Sequence, residues 1–146
     1  MALINPYIHF DVYAEEVFSF YKSVFGGDFA VMRFKDVPKN PDFLICAEHA
    51  DRMMHITLPI DKNDILMARD IHPSLGPLNT HENRSKISIS TETKEETETL
   101  FKGLSEGGTV AVPFDQSFLG SYFGMFCDKY RIEWMVNYDP KYQGSV

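Results

Sequence analysis

Cysteine is scarce in this chain: two among 146 residues, Cys46 and Cys127, far apart and in no CxxC spacing. Neither a zinc ribbon nor a redox pair is written here, and both side chains are expected to be reduced, partly buried thiols. No stretch approaches the roughly 20 apolar residues of a transmembrane helix. The opening MALINPYIHFDV has neither the basic start nor the apolar run of a signal peptide. Clusters of Lys and Arg are also missing, and the formal net charge is -7. That balance argues against a nucleic-acid or anionic-membrane partner, because both demand concentrated positive charge. A soluble, cytoplasmic protein is expected.

What the chain does have is apolar material and a repeat. With 44% hydrophobic and 14% aromatic residues, it is long enough for one domain that buries roughly 68–70% of its unfolded surface. Phe20, Gly26 and Gly27 recur as Phe101, Gly107 and Gly108, each shifted by 81 positions. Ile8 falls on Ile89 and Phe29 on Val110 at the same offset. The shared order is strand, helix, Gly-Gly, strand, which points to two copies of one small module.

The elements follow from local chemistry. Tyr7 to Phe10 reads as a strand entered by Asn5-Pro6, where the missing proline donor is harmless. Ala14 to Phe25 reads as a helix whose apolar face is Val17, Phe20, Tyr21 and Val24, with Glu15 and Glu16 in the first turn where the dipole favours them. Gly26-Gly27 supplies the left-handed stop. Asp28 to Phe34 is the next strand, and Lys35 to Asp51 holds either a short helix or an irregular strand. Met53 to Leu58 and Asp64 to Arg69 form a hairpin around Pro59-Ile60-Asp61-Lys62-Asn63. Module one thus covers residues 3–70, and a Pro- and Gly-containing linker covers 71–84.

Module two, residues 85–138, opens with the period-two strand Lys86 to Thr91. Thr93-Lys94-Glu95-Glu96 has the spacing of a capping box, so a helix starts there, with Thr97, Leu100, Phe101 and Leu104 on its apolar face. After Gly107-Gly108 come strands at Thr109 to Phe114, Tyr122 to Cys127 and Ile132 to Asn137, the last two joined by Lys129-Tyr130-Arg131.

Strand, helix, three strands, twice over, is the order at which a family resemblance emerges. The phrases Asn5-Pro6-Tyr7, Phe20-Tyr21-Lys22-Ser23-Val24-Phe25-Gly26-Gly27, Phe123-Gly124-Met125-Phe126-Cys127-Asp128-Lys129-Tyr130 and Trp134-Met135-Val136-Asn137 resemble the PhnB-like branch of the vicinal-oxygen-chelate superfamily. That superfamily includes glyoxalase I, extradiol dioxygenases and bleomycin-resistance proteins. The resemblance implies an α+β fold of two tandem βαβββ modules forming a glyoxalase-like open barrel, or cup, within one domain. It also implies a homodimer in which paired chains cover exposed sheet edges. Members of the branch are sometimes labelled 3-demethylubiquinone 3-methyltransferases. The residues do not support that activity, since no glycine-rich strand-to-helix turn with a following acidic residue is present to hold S-adenosylmethionine.

Enzymes of the superfamily hold a divalent metal in the cup through four side chains, usually His, Gln or Glu, from the first and last strands of each module. Carried over one position at a time, these fall at or near Pro6, at Met67 or Ala68, at or near Lys86, and at Met135. A thioether is soft and an ammonium repels a cation, so no metal and no cofactor is expected. A register slip of two brings in Glu133, and a slip of three on the first strand brings in His9, still short of the three ligands a catalytic metal keeps.

The remaining polar candidates have competing readings. His9 alternates with Ile8 and Phe10 and is expected on the face away from the cup. His55, between Met54 and Ile56, is either a hydrogen-bonded core histidine or, if it points inward, a general base suited to neutral pH. Glu133, between Ile132 and Trp134, is either an exposed edge carboxylate or an inward one that needs a partner. Together His55 and Glu133 are the candidate catalytic pair. His49, His72 and His81 sit in loops. The loop Asp115 to Tyr122 resembles a segment that precedes the Phe-Gly strand in this branch. Its Phe118 and Tyr122 serve either as pocket wall or as packing. Phe10, Met67, Lys86, Ser88, Phe118, Tyr122 and Met135 are the candidate ligand-binding residues, and the seven Met residues suit an adaptable apolar cavity as well as ordinary gap filling.

Two functions from different classes follow: a binding module that takes a small, partly apolar molecule in a metal-free cup, which is preferred, or an isomerase, lyase or dioxygenase-type enzyme using His55 and Glu133 or an unrecognised metal. A dimer with a vestigial cup is the third.

Overall fold

Ile8 and Phe10 alternate with Tyr7 and His9, and the four residues form strand β1 (Tyr7–Phe10). The structure is a computed structural model that describes residues 3–36, 49–71, 78, 84–117 and 120–140. The chain divides into two compact units, Met1–Asn79 and Thr80–Val146.

In the first unit β1 is followed by helix α1 (Ala14–Phe25), strand β2 (Ala30–Arg33), a 3-10 turn (Phe34–Asp36), and strands β3 (Met53–Pro59) and β4 (Ile65–Asp70). The sheet order is β1-β4-β3-β2, with β1 parallel to β4 and the other pairs antiparallel. Helix α1 lies against β3 and β4. It buries Ala14, Val17, Phe18 and Tyr21, while Phe20 and Val24 of the expected face are half-buried. The stripe is therefore rotated but keeps the i, i+3, i+4, i+7 spacing that a helix needs to cover a sheet. Gly26, at φ 82°, ends the helix and donates its N–H to the Lys22 carbonyl.

Two buried acids tie loops to the sheets. Asp70, 2% exposed, accepts from Ala14 N at 2.9 Å and Met53 N at 2.8 Å. Tyr13, the residue before α1, makes no side-chain cap, so the end of β4 supplies from 56 residues away the acceptor that the helix start lacks. Burial pushes the Asp70 carboxyl above its usual range, opposed by the Met53 and Ala14 amides and by the charge of Arg52. The β3–β4 turn closes through Asp61, whose Oδ1 accepts from Asn63 N and Asp64 N.

The second unit repeats the order with strand β5 (Ile87–Ser90), helix α2 (Lys94–Ser105), and strands β6 (Thr109–Gln116), β7 (Tyr122–Cys127) and β8 (Glu133–Tyr138). Its sheet runs β5-β8-β7-β6, again with one parallel pair, β5 with β8. Thr93 caps α2 as its sequence requires, its hydroxyl accepting from Glu96 N at 3.1 Å. Thr97, Leu100 and Leu104 are buried, and Phe101 is half-buried with its ring 5.3 Å from that of Phe126 and 5.9 Å from that of Phe114. Asp128, 3% exposed, builds the β7–β8 turn. Its Oδ1 accepts from Tyr130 N and Ile132 N, and its Oδ2 from the Trp134 indole at 2.9 Å.

The duplication is thus present in both topology and register. The offset of 81 holds on the first strands, where Ile8 sits beside Ala68 and Ile89 beside Val136. It shortens to 68 on the last strands, Ala68 to Val136, because the connection between the second and third strands of module one is longer.

Candidate functional site

Each sheet has one face covered by its helix and one face the helix leaves free. In the first unit Phe10, Ile56, Leu58, Leu66, Ala68 and Asp70 are buried on the helix side. Strand alternation and pairing then assign the other face: Tyr7 and His9 on β1, Met67 and Arg69 on β4, His55 and Thr57 on β3, and Met32 on β2.

An aromatic cluster crosses that face. The Tyr7 ring meets His9 edge-on at 5.4 Å and lies 5.7 Å from His55, tilted by 39°. His9 therefore shares the helix-free face with His55, contrary to the expectation that placed it on the opposite side. The alternation with Ile8 and Phe10 is real, but it is those two side chains that turn to the helix. Arg69 sits directly beside His9 in the parallel pair. Partial burial, and then the Arg69 charge, hold the His9 imidazole below its usual range, so at neutral pH it is an uncharged donor and acceptor.

Phe10 is in a different place from the one a ligand contact requires: it is 5% exposed and packs on the helix side. Large size and neighbours of the same parity, Ile8 above all, direct it into the core.

In the second unit Phe126, Trp134 and Val136 are buried on the helix side. The helix-free face carries Ser88 on β5, Glu133, Met135 and Asn137 on β8, and Phe123, Met125 and Cys127 on β7. Ser88 is exposed beside half-buried Met135. Lys86, just before β5, reaches Glu133 with Nζ 3.2 Å from Oε1. The other carboxylate oxygen, Oε2, is shielded from solvent and has no partner among the described residues. Cys127 lies directly opposite Glu133. Burial first, and then the charges of Asp128 and Glu133, push its thiol pKa up, which keeps it a protonated, unreactive group.

Tyr122 faces the helix side. Its ring stacks on Phe114 at 6.0 Å, lies 6.5 Å from Tyr138, and carries the Lys94 ammonium 4.5 Å above it. Of its two proposed roles, packing is the one this geometry describes. Phe118, paired with it in the sequence reading, lies outside the described residues, as do His72 and His81. His55 belongs to the first unit and Glu133 to the second. Tyr7 and Arg69 were not among the candidate site residues. The parity of buried Phe10 and Asp70 on the same strands is the signal that places them together.

These features sit on a chain with clear relatives. The model of the 3-demethylubiquinone-9 3-methyltransferase family matches residues 2–137. The crystal structure of protein PA1353 from Pseudomonas aeruginosa is 35% identical, covers 95% of this chain and 98% of its own, and superposes with a TM-score of 0.81. The chain belongs to this family, the PhnB-like branch of the vicinal-oxygen-chelate superfamily. A putative 3-demethylubiquinone-9 3-methyltransferase, PhnB protein, from Bacillus cereus is similar at 22% identity and TM-score 0.67, over 93% of this chain and 98% of that one. A glyoxalase/bleomycin resistance protein from Albidiferax ferrireducens T118 shares the fold at 14% identity and TM-score 0.61, over 92% and 97% of the two chains. No curated protein matches.

Met67 on β4 lies beside Tyr7 of β1, and Met135 on β8 lies beside Ser88 of β5. Neither the thioether and phenol of the first sheet nor the thioether and serine of the second suit a hard or borderline divalent cation. Among the described residues no group of three His, Cys, Asp or Glu could hold a metal ion. Neither sheet is the doubly wound parallel sheet whose glycine-rich turn binds a nucleotide-like methyl donor. Among the described residues, no helix is long and apolar enough to cross a membrane.

Proposed function

We propose that this PhnB-like protein binds a small, partly aromatic molecule without a metal, using the helix-free faces of its sheets. The observation that carries the reading is the Tyr7 cluster. Where the superfamily's enzymes place metal donors, this chain sets a phenol ring between two imidazoles, next to the Met67 thioether. Flat rings stack on such a surface, the imidazoles add a few directed hydrogen bonds, and thioethers adapt to varied shapes. The chemistry of the donor set favours binding over catalysis, since Glu133, the acidic half of the candidate catalytic pair, is engaged by Lys86.

The protein acts in this reading as a cytoplasmic homodimer. Support for a second copy comes from the sheet edges: β2 exposes Val31 at 43% and Met32 at 47%, and β6 exposes Val110 at 44%. Light scattering on the eluted peak measures the mass directly, and a monomer at micromolar concentration rules the dimer out.

A thermal-shift screen of the full chain against planar aromatic metabolites and antibiotics tests the binding function. A true ligand at 100 times its dissociation constant stabilises the fold by about 2.7 kcal/mol. No shift across the panel overturns the reading, and so does near-stoichiometric zinc, nickel, manganese or iron in gently purified protein.

A further inference from the structure

Arg69 is half-buried on the helix-free face of the first sheet, its parity opposite to that of buried Ala68 and Asp70 on the same strand. His9 lies beside it in the parallel pair, and the register that sets Ile56 against Ala68 brings His55 to its other flank. Its stem is held: Nε donates to the Asp70 carbonyl at 3.4 Å, and Cζ lies 6.0 Å from the centre of the buried Phe34 ring. Its terminal nitrogens are not. Among the described residues no carboxylate pairs with Arg69, and Nη1 and Nη2 make no hydrogen bond. Both are open to solvent, because Glu133 Oε2 is the one unpartnered polar side-chain atom among those residues that water cannot touch. None of the strand residues on this face is an Asp or Glu, and the Asp70 carboxylate is engaged on the helix side by the Ala14 and Met53 amides. We propose that Arg69 anchors the carboxylate of a planar aromatic acid whose rings lie over Tyr7 and His55.

The inference rests on the small-molecule reading and names the class of molecule. In a chain of net charge -7 an anion is not drawn in by the overall field, so a local cation must supply the attraction. The end of a guanidinium offers two parallel N–H bonds that match the two oxygens of a carboxylate, and half-burial leaves that pairing less screened than on an open surface. The stacking surface is reachable, with Tyr7 43% exposed and His9 exposed beside it. Same-face residues on a strand stand about 7 Å apart and neighbouring strands about 5 Å, so a two-ring acid spans the diagonal from Tyr7 to Arg69. A neutral ring forgoes the ion pair, and a cationic one is repelled by Arg69.

Paired probes test this on the full chain: 2-naphthoate, which carries the carboxylate, and 2-naphthamide, which has the same rings and shape without the charge. By titration followed by NMR, the wild type is expected to bind 2-naphthoate about tenfold more tightly, the usual weight of one charge-assisted pairing. In Arg69→Gln the preference should vanish. Equal binding of the two probes by the wild type overturns the anchor and leaves the binding function standing. A tenfold preference that survives in Arg69→Gln overturns the anchor also. If neither probe binds, the anchor is refuted, and the thermal-shift panel decides the binding function by itself. Should Arg69→Gln not fold, the Nε–H resonance of Arg69 in the wild type decides: it should move with 2-naphthoate and stay with 2-naphthamide, and any other pattern refutes the anchor.

Discussion

Met67 and Met135 hold the same position in the two sheets. Each is third in its last strand, each faces a side chain on the antiparallel neighbour, Thr57 or Met125, and each lies beside the parallel edge strand, at Tyr7 or Ser88. The duplication has therefore preserved one frame in both sheets and has put a thioether at the same place in each. Their neighbours have diverged: Tyr7 of the aromatic cluster lies beside Met67, and Ser88 lies beside Met135 with the Lys86–Glu133 pair on the same face. Two copies of one scaffold thus offer different chemistry on their helix-free faces.

Asp70 is the first place to test the scaffold itself. Its carboxylate accepts from two buried amides, Ala14 N and Met53 N. Asp70→Ala leaves both without an acceptor and should cost about 2–5 kcal/mol, read from denaturant midpoints. Asp70→Asn keeps one acceptor and turns a donor toward the second amide, so it should fall between the wild type and Asp70→Ala.

Gly124 and Phe101 make a second test, because a Cβ at Gly124 would lie 2.6 Å from Phe101 Cε2 and 3.1 Å from Phe114 Cα. Gly124→Ala is expected to destabilise the second unit by about 1–3 kcal/mol through overpacking. Phe101→Leu in the same chain should recover part of that loss. An additive double mutant would show that the two residues do not meet.

Most of the architecture was legible, because it is written locally. The α1 bounds, the Gly26 stop, the Thr93 cap and the eight strands among the described residues follow from periodicity and turn chemistry, with strand ends displaced by a residue or two, while α2 is capped by Glu106, one residue before Gly107. The faces were harder to read. Alternation says that His9 and Phe10 point apart, but only the helix's position says which one joins His55. Tyr122 likewise shares parity with Gly124 and Phe126, and that becomes decisive only once Phe101 is seen over Gly124. The Asp70 contact with Ala14 spans 56 residues and leaves no local trace.

His9 should report its surroundings through its titration. Burial and Arg69 lower its pKa in the folded state, so between that value and 6.5 the unfolded chain binds more protons than the folded one. The His9 contribution to stability is therefore complete above about pH 6.5 and is lost as the pH falls through this window. The imidazole resonance of His9 should show a midpoint below 6.5. Arg69→Gln should raise it only part of the way, since burial is the larger cause. Full recovery on removing Arg69 would make the charge the dominant cause instead.

Cys127 joins the charge chemistry of the second unit to its reactivity. Because the thiolate is the nucleophile, a thiol whose pKa is raised by burial and by Asp128 and Glu133 should alkylate slowly near pH 8. Iodoacetamide labelling mapped to the Cys127 peptide, apart from Cys46, should run several-fold slower in folded protein than in urea. Glu133→Gln removes one of the two acidic neighbours but leaves burial, the first cause, in place, so labelling should quicken only modestly. A rate that jumps to the unfolded value would mean that the Lys86–Glu133 pair also shields the sulfur, and that opening this pair uncovers the strand face.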